Sequence, residues 1–202
     1  MLKVWLKHFF QQNKYYGLVV VLIVVVSTIE WFSHNLLNYQ RQAIADGEVW
    51  RLLSGHFAHL NTMHFLLNMS VFLFFPFVFS VSSKIWFYTS LLFSLLVGMC
   101  LYLFSPGVSS YVGFSGTLHG LLVIGLFHEF GQVKGRLKWV YVFVLLFVIG
   151  KVVREQLPGF DAMHLSNVID GAVIVDAHMY GLIVGLVYCC VEKLIGFSKV
   201  KL

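Results

Sequence analysis

Charge is scarce in this sequence. Only 11% of its 202 residues are Asp, Glu, Lys or Arg, against 59% hydrophobic residues and a mean hydropathy of +0.83. A soluble domain of this length has too much surface for its volume to be covered by so few polar groups. A soluble fold is therefore excluded, and a chain whose outside faces lipid is implied. Cysteine is as sparse: Cys100, Cys189 and Cys190 make no disulfide framework, and each falls in an apolar run where a thiol acts as a small hydrophobe. Repeats, low-complexity tracts and linkers are missing too, so one domain over 1–202 is expected. His128-Glu129 is not followed by the second histidine of His-Glu-x-x-His, which disfavours a zinc metalloprotease. The basic start (Lys3, Lys7, Lys14) and the apolar run after it fit a signal peptide, but no small-x-small cleavage site follows. The first helix is expected to be retained.

What is present is a set of six apolar segments, at about 16–32, 63–79, 85–104, 115–130, 137–153 and 177–195. Each approaches the ~20 residues that cross a bilayer as a helix. The runs are continuous rather than alternating, and a helix satisfies its own backbone in lipid. The expected fold is all-α: a polytopic bundle of six transmembrane helices. Loops on the side of the N-terminus hold ten basic residues (among them Lys84, Lys134, Arg136, Lys138 and Lys193), whereas the other side holds four, Arg41, Arg51, Lys151 and Arg154, with seven of the nine acids. The positive-inside rule then puts both termini in the cytoplasm.

In that topology the second, fourth and sixth helices all start on the non-cytoplasmic side, and each starts with polar groups. His64 and Asn68 open the second, Gly113-Phe-Ser115-Gly116 the fourth, and Asp176-Ala-His178 the sixth. Ionisable groups in membrane spans are costly and mark sites or cavities. Ser115 sits at a helix start, where free N–H groups and a partial positive charge suit a nucleophile and the oxyanion it creates; a plain N-cap is the alternative. The motif is not the Gly-x-Ser-x-Gly elbow of soluble hydrolases, which needs a preceding strand. His178 begins His-x-x-Gly181-x-x-x-Gly185, a face on which small residues let another helix come close. Histidine is the usual base for a serine. Asp176 invites a triad reading, but an N-cap role suits its position better. His64 and Asn68, four apart on one face, are candidate oxyanion donors. His56, His59 and His64 lack a carboxylate or cysteine partner at ligand spacing, so neither metal nor cofactor is expected.

These residues resemble the rhomboid family of intramembrane serine proteases. Glu48-Val-Trp50-Arg51, His59 and His64-x-x-x-Asn68 look like that family's first loop and second helix. Gly113-Phe-Ser115-Gly116 is similar to its serine motif, and Ala177-His178-x-x-Gly181-x-x-x-Gly185 to its last helix. The short length, Thr117-Leu-His119-Gly120 and Asp176-Ala-His178 resemble the rhombosortase branch. The resemblance implies Ser115 as nucleophile, His178 as base, and the Ser115 N–H with His64 and Asn68 as oxyanion hole, supported by Gly113, Gly116, Gly181 and Gly185. Many rhomboids carry a tyrosine four residues after the serine that packs on the catalytic histidine; this chain has His119. The implied partners are the lipid bilayer and membrane-anchored exported proteins with a C-terminal Gly-Gly motif, apolar helix and basic tail, with no nucleic acid. The implied place is a bacterial inner membrane, with the site towards the periplasm. The segment after the fifth helix, Glu155-Gln-Leu-Pro158-Gly159, and that helix's aromatic face are candidates for a substrate gate, while Arg51 suits a loop organiser. Two alternatives are a rhomboid protease with other substrates and a non-enzymatic membrane protein holding haem or metal on His64, His119 and His178. A transporter is disfavoured, because its polar groups gather near the midplane of symmetric halves.

Overall fold

The computed structural model describes residues 13–33 and 35–195. Lys3, Lys7, Lys199 and Lys201, which entered the charge balance, lie outside the described residues. The elements are, in order, α1 (Lys14–Ser33), β1 (Tyr39–Gln40), α2 (Arg41–Ala45), α3 (Arg51–Ser54), α4 (Thr62–Val78) and α5 (Ser83–Phe104). They continue with β2 (Ser110–Tyr111), α6 (Ser115–Gln132), α7 (Leu137–Glu155), α8 (Met163–Ile169) and α9 (Val175–Leu194). The fold is an all-α membrane bundle. Among the described residues three helices, α1, α5 and α9, are long and apolar enough to cross a bilayer on length and composition alone, and α4 is a shorter apolar helix. Two ladder residues on each of β1 and β2, Tyr39 opposite Tyr111 and Gln40 opposite Ser110, add an antiparallel clasp that the apolar pattern did not announce.

Helix α6 is the inner member of the bundle. Ten of its residues are buried, from Gly116 to Glu129, on every side of the helix, and its large exposed side chains, Phe127 and Phe130, are confined to its C-terminal end. Helix α7 is the opposite case, with only Val148, Val152 and Glu155 buried. Between lipid-soluble helices, packing and hydrogen bonds decide association. Packing comes from a run of interlocked rings: Phe57, Phe72 and Phe114, then Phe75, Phe79 and Trp86. Hydrogen bonds come from charged side chains turned onto the backbone. Arg41 donates to the carbonyls of Leu101, Tyr102, Ser105 and Val108, closing the C-terminal end of α5. Glu30 accepts from the Asn35 and Leu37 N–H groups, and Glu129 from Ser80 N–H. Arg51 is buried and donates to the carbonyls of Asn35 and Asn38 and to Glu48, so it organises the loop after α1.

At the end of the bundle where α4 begins, Asn61 caps that helix by accepting from His64 N–H. The same side chain donates to the Ile169 carbonyl, tying α4 to the last residue of α8.

Candidate active site

Two helix starts are pressed together by the absence of side chains. A Cβ placed on Gly181 of α9 would lie 1.8 Å from the Gly116 carbonyl oxygen of α6, and one on Gly185 would lie 2.7 Å from that of Gly120. Neither contact is possible for any residue but glycine. The two backbones therefore touch, and residues just above the seam on each helix meet. Ser115 is the first residue of α6, after the N-cap Phe114; its Oγ–H donates to His178 Nε2 at 3.0 Å. The N-cap alternative for Ser115 does not hold, because its hydroxyl turns across to α9 instead of back onto its own helix.

His119, one turn below Ser115, lies against His178 with ring centroids 4.4 Å apart and planes 23° apart. Its Nδ1 is 2.8 Å from the Ser115 carbonyl oxygen. Only a protonated nitrogen can bond a carbonyl, so Nδ1 carries the hydrogen and Nε2 is the acceptor.

Gly113 reaches Ser115 through a backbone that favours glycine, at φ +122°. A Cβ there would also fall 2.6–2.7 Å from the His64 ring, so the turn and α4 are in direct contact. His64 and Asn68 are both buried, and the Asn68 side-chain amide donates to the His64 carbonyl at 3.1 Å. Thus α4 brings both residues against the turn that leads into Ser115. The turn is pinned further by Gly113 N–H donating to Gly55 O and by Tyr111 O–H donating to Gly113 O. Tyr111 was invisible to motif reading; its hydroxyl also lies near the Ser115 side chain and the Gly116 N–H.

Asp176 takes neither role considered for it. It lies in the first turn of α9, whose N-cap is Ile174, and its carboxylate accepts from Ser105 Oγ–H at 2.5 Å, pinning α9 to the end of α5. His56 and His59 are buried in the loop before α4, and burial pushes both imidazoles down to about 3. Among the described residues no three His, Cys, Asp or Glu side chains are grouped to hold a metal ion.

Two further side chains enter from α7. Glu155 Oε2 lies 3.0 Å from His178 Nδ1, and Glu155 Oε1 lies 2.8 Å from Lys151 Nζ. Lys151 Nζ also lies 2.9 Å from His119 Nε2 and 3.3 Å from His178 Nδ1. The apolar segment was expected to stop at 153 with Glu155 in the following loop; the helix instead runs on to Glu155 and turns it inward. A signal was present: Lys and Glu four residues apart on one helix face, near the end of an apolar run.

The fold is a polytopic membrane bundle in which a serine hydroxyl and an imidazole meet between two helices. The Rhomboid domain family model matches residues 46–193, well over half of the chain, and the chain belongs to the rhomboid family. A candidate rhomboid protease of Bacillus subtilis (strain 168), YdcA, is 28% identical over 194 residues, covering 87% of this chain and 89% of that protein.

Proposed function

We propose that this protein is a serine endopeptidase of the rhombosortase type, which cleaves membrane-anchored exported proteins near a C-terminal Gly-Gly motif through Ser115 and His178. The observation that carries this reading is the 3.0 Å bond from Ser115 Oγ–H to His178 Nε2 across the α6–α9 seam. Nucleophile and base are then within transfer distance before substrate arrives.

The reaction follows from that contact. Ser115 Oγ attacks the scissile carbonyl carbon as its proton passes to His178 Nε2. The oxyanion is taken up by the Ser115 N–H with His64 and Asn68, donors fixed in advance by α4 and the Gly113 turn. His178 then gives its proton to the departing amide nitrogen, the C–N bond breaks, and an acyl-enzyme remains. Water attacks the ester, its proton goes to His178, and the ester bond breaks with return of a proton to Ser115 Oγ. A cleft of about 460 Å³, lined by polar side chains (Glu30, Asn35, Asn38) and apolar ones (Trp31, Leu60, Val112), opens beside the Gly113 turn. Small residues before the substrate's apolar helix let it unwind to present an extended carbonyl. The charge balance supports an inner-membrane protein with cytoplasmic termini and a periplasmic site.

Co-expression with a tagged substrate carrying the Gly-Gly motif, apolar helix and basic tail tests the reading. Processing should disappear in Ser115→Ala and in His178→Ala, and should fail on a substrate whose two glycines are replaced by valine. Processing that persists in both enzyme variants overturns the serine–histidine reading. Processing of the valine substrate at full rate returns the protein to rhomboid proteases with other specificity.

A further inference from the structure

Four charged side chains are buried among the described residues: Glu30, Arg51, Glu129 and Glu155. Three of them have their bonds in the scaffold. Glu30 and Glu129 accept from backbone N–H groups, and Arg51 holds loop carbonyls, Asn38 and Glu48. Glu155 differs, because one of its oxygens meets His178 and the other meets Lys151. A carboxylate buried near a bilayer is costly, and the bonds it makes here are to side chains at the reacting centre.

The hydrogens can be assigned from the contacts. His178 Nε2 accepts from Ser115, so in the neutral ring the hydrogen sits on Nδ1 and donates to Glu155 Oε2 at 3.0 Å. His119 has its hydrogen on Nδ1, spent on the Ser115 carbonyl, and its Nε2 accepts from Lys151. The ammonium therefore donates to Glu155 Oε1 and to His119 Nε2. Its 3.3 Å approach to His178 Nδ1 is no hydrogen bond, since that nitrogen already carries a proton. Every nitrogen and oxygen in the group has a role that agrees with its neighbours. The ring of His178 is fixed on three sides: by Ser115, by the face of His119 and by Glu155.

Building on the Ser115–His178 reading, we infer that Glu155 is the third member of the catalytic group, a positioning residue that holds His178 with its proton on Nδ1 and stabilises the imidazolium formed during attack, and that Lys151 keeps this carboxylate in place while anchoring His119. The site is then a serine–histidine–glutamate triad assembled from three helices, with the acid supplied by α7. In serine proteases with such a triad, neutralising the acid leaves the geometry but favours the wrong tautomer, lowering kcat by about 10⁴.

The test uses the full chain, purified in detergent micelles, with a fluorogenic transmembrane peptide and a fluorophosphonate that labels an activated serine. Glu155→Gln is isosteric. It should lower kcat and the labelling rate by ~10²–10⁴, leave KM and the melting midpoint near wild type, and be partly rescued by Glu155→Asp. Lys151→Met should lower kcat less, and Lys151→Met with Glu155→Gln should be no worse than Glu155→Gln alone, because the two act as a unit. Glu155→Gln within threefold of wild type overturns the inference. So does a loss tracked by the melting midpoint and shared equally by Glu155→Asp, which marks a scaffold role. Should Glu155→Gln fail to fold, Glu155→Asp and Lys151→Met both at the wild-type rate overturn it instead. Ser115→Ala keeps the two failures apart. If that variant still turns over peptide, the serine reading itself is lost; if it is dead while Glu155→Gln is normal, only the role of Glu155 is lost.

Discussion

At the scale of single residues, the hydrogen bond from Ser115 to His178 is already made, whereas the donors proposed for the oxyanion would act only when charge develops. Replacing His64 or Asn68 by alanine should therefore lower kcat by ~10²–10³ each while leaving KM nearly unchanged, as steady-state kinetics on a transmembrane peptide will show. A second residue-scale effect concerns acid. His59 is held neutral by burial, opposed further by His64, with an acidity constant lowered to about 3; its ring also meets Ser27 Oγ at 2.9 Å. The unfolded chain binds a proton to this side chain below its ordinary value of about 6.5, and the folded chain refuses it until about 3. The unfolded state holds more protons in that window, so stability is intact above about 6.5 and falls as the pH drops towards 3, by roughly 1.4 kcal/mol per pH unit. Melting midpoints measured from pH 7 to pH 4 should decline less steeply in His59→Asn, which keeps a polar atom facing Ser27 but cannot titrate.

At the scale of elements, the α6–α9 seam is the part least able to change. Gly181→Ala would put its methyl carbon 1.8 Å from the Gly116 carbonyl oxygen, so the helices must separate. Overpacking of this kind costs ~1–3 kcal/mol or more, and because it parts Ser115 from His178, activity should vanish before folded yield does. Gly150→Ala on α7 meets nothing within 4 Å and should leave both untouched. Size-exclusion profiles beside peptide turnover will tell the two apart. The elements themselves were legible in the sequence because a span must be both apolar and about one bilayer long, and few other structures satisfy both demands. That Ser115, His178, His64 and Asn68 come together was legible because each lies towards the same end of its helix among small or polar neighbours. Glu155 and Lys151 were not. Their four-residue spacing is plain, but which way that face of α7 turns depends on how the helix packs against α6 and α9, and no local pattern encodes a crossing. Asp176 failed for a related reason: a carboxylate at a helix start reads as a cap, and only the fold reveals Ser105 beside it. The β1–β2 clasp, with two residues on each side, is too short to leave a periodic trace.

At the scale of the whole molecule, the charge imbalance between its two ends is a statement about insertion. Fusions of alkaline phosphatase after Pro158 should be active, since that loop is expected outside, and fusions after Lys134 should be inactive. The reverse pattern would invert the topology and put the site in the cytoplasm. Within the bundle the three helices that carry the proposed catalytic group are not equally tethered. Helix α6 is buried over most of its length and α9 is locked to it by glycine, but α7 leans on its neighbours through Val148, Val152 and the Glu155 bonds while Phe143, Leu146 and Phe147 stay uncovered. By burial alone α7 is the least covered of the three helices. On the inferred role of Glu155, an outward shift of α7 would withdraw the acid from the base, so a displacement that opened the bundle there would also disarm it.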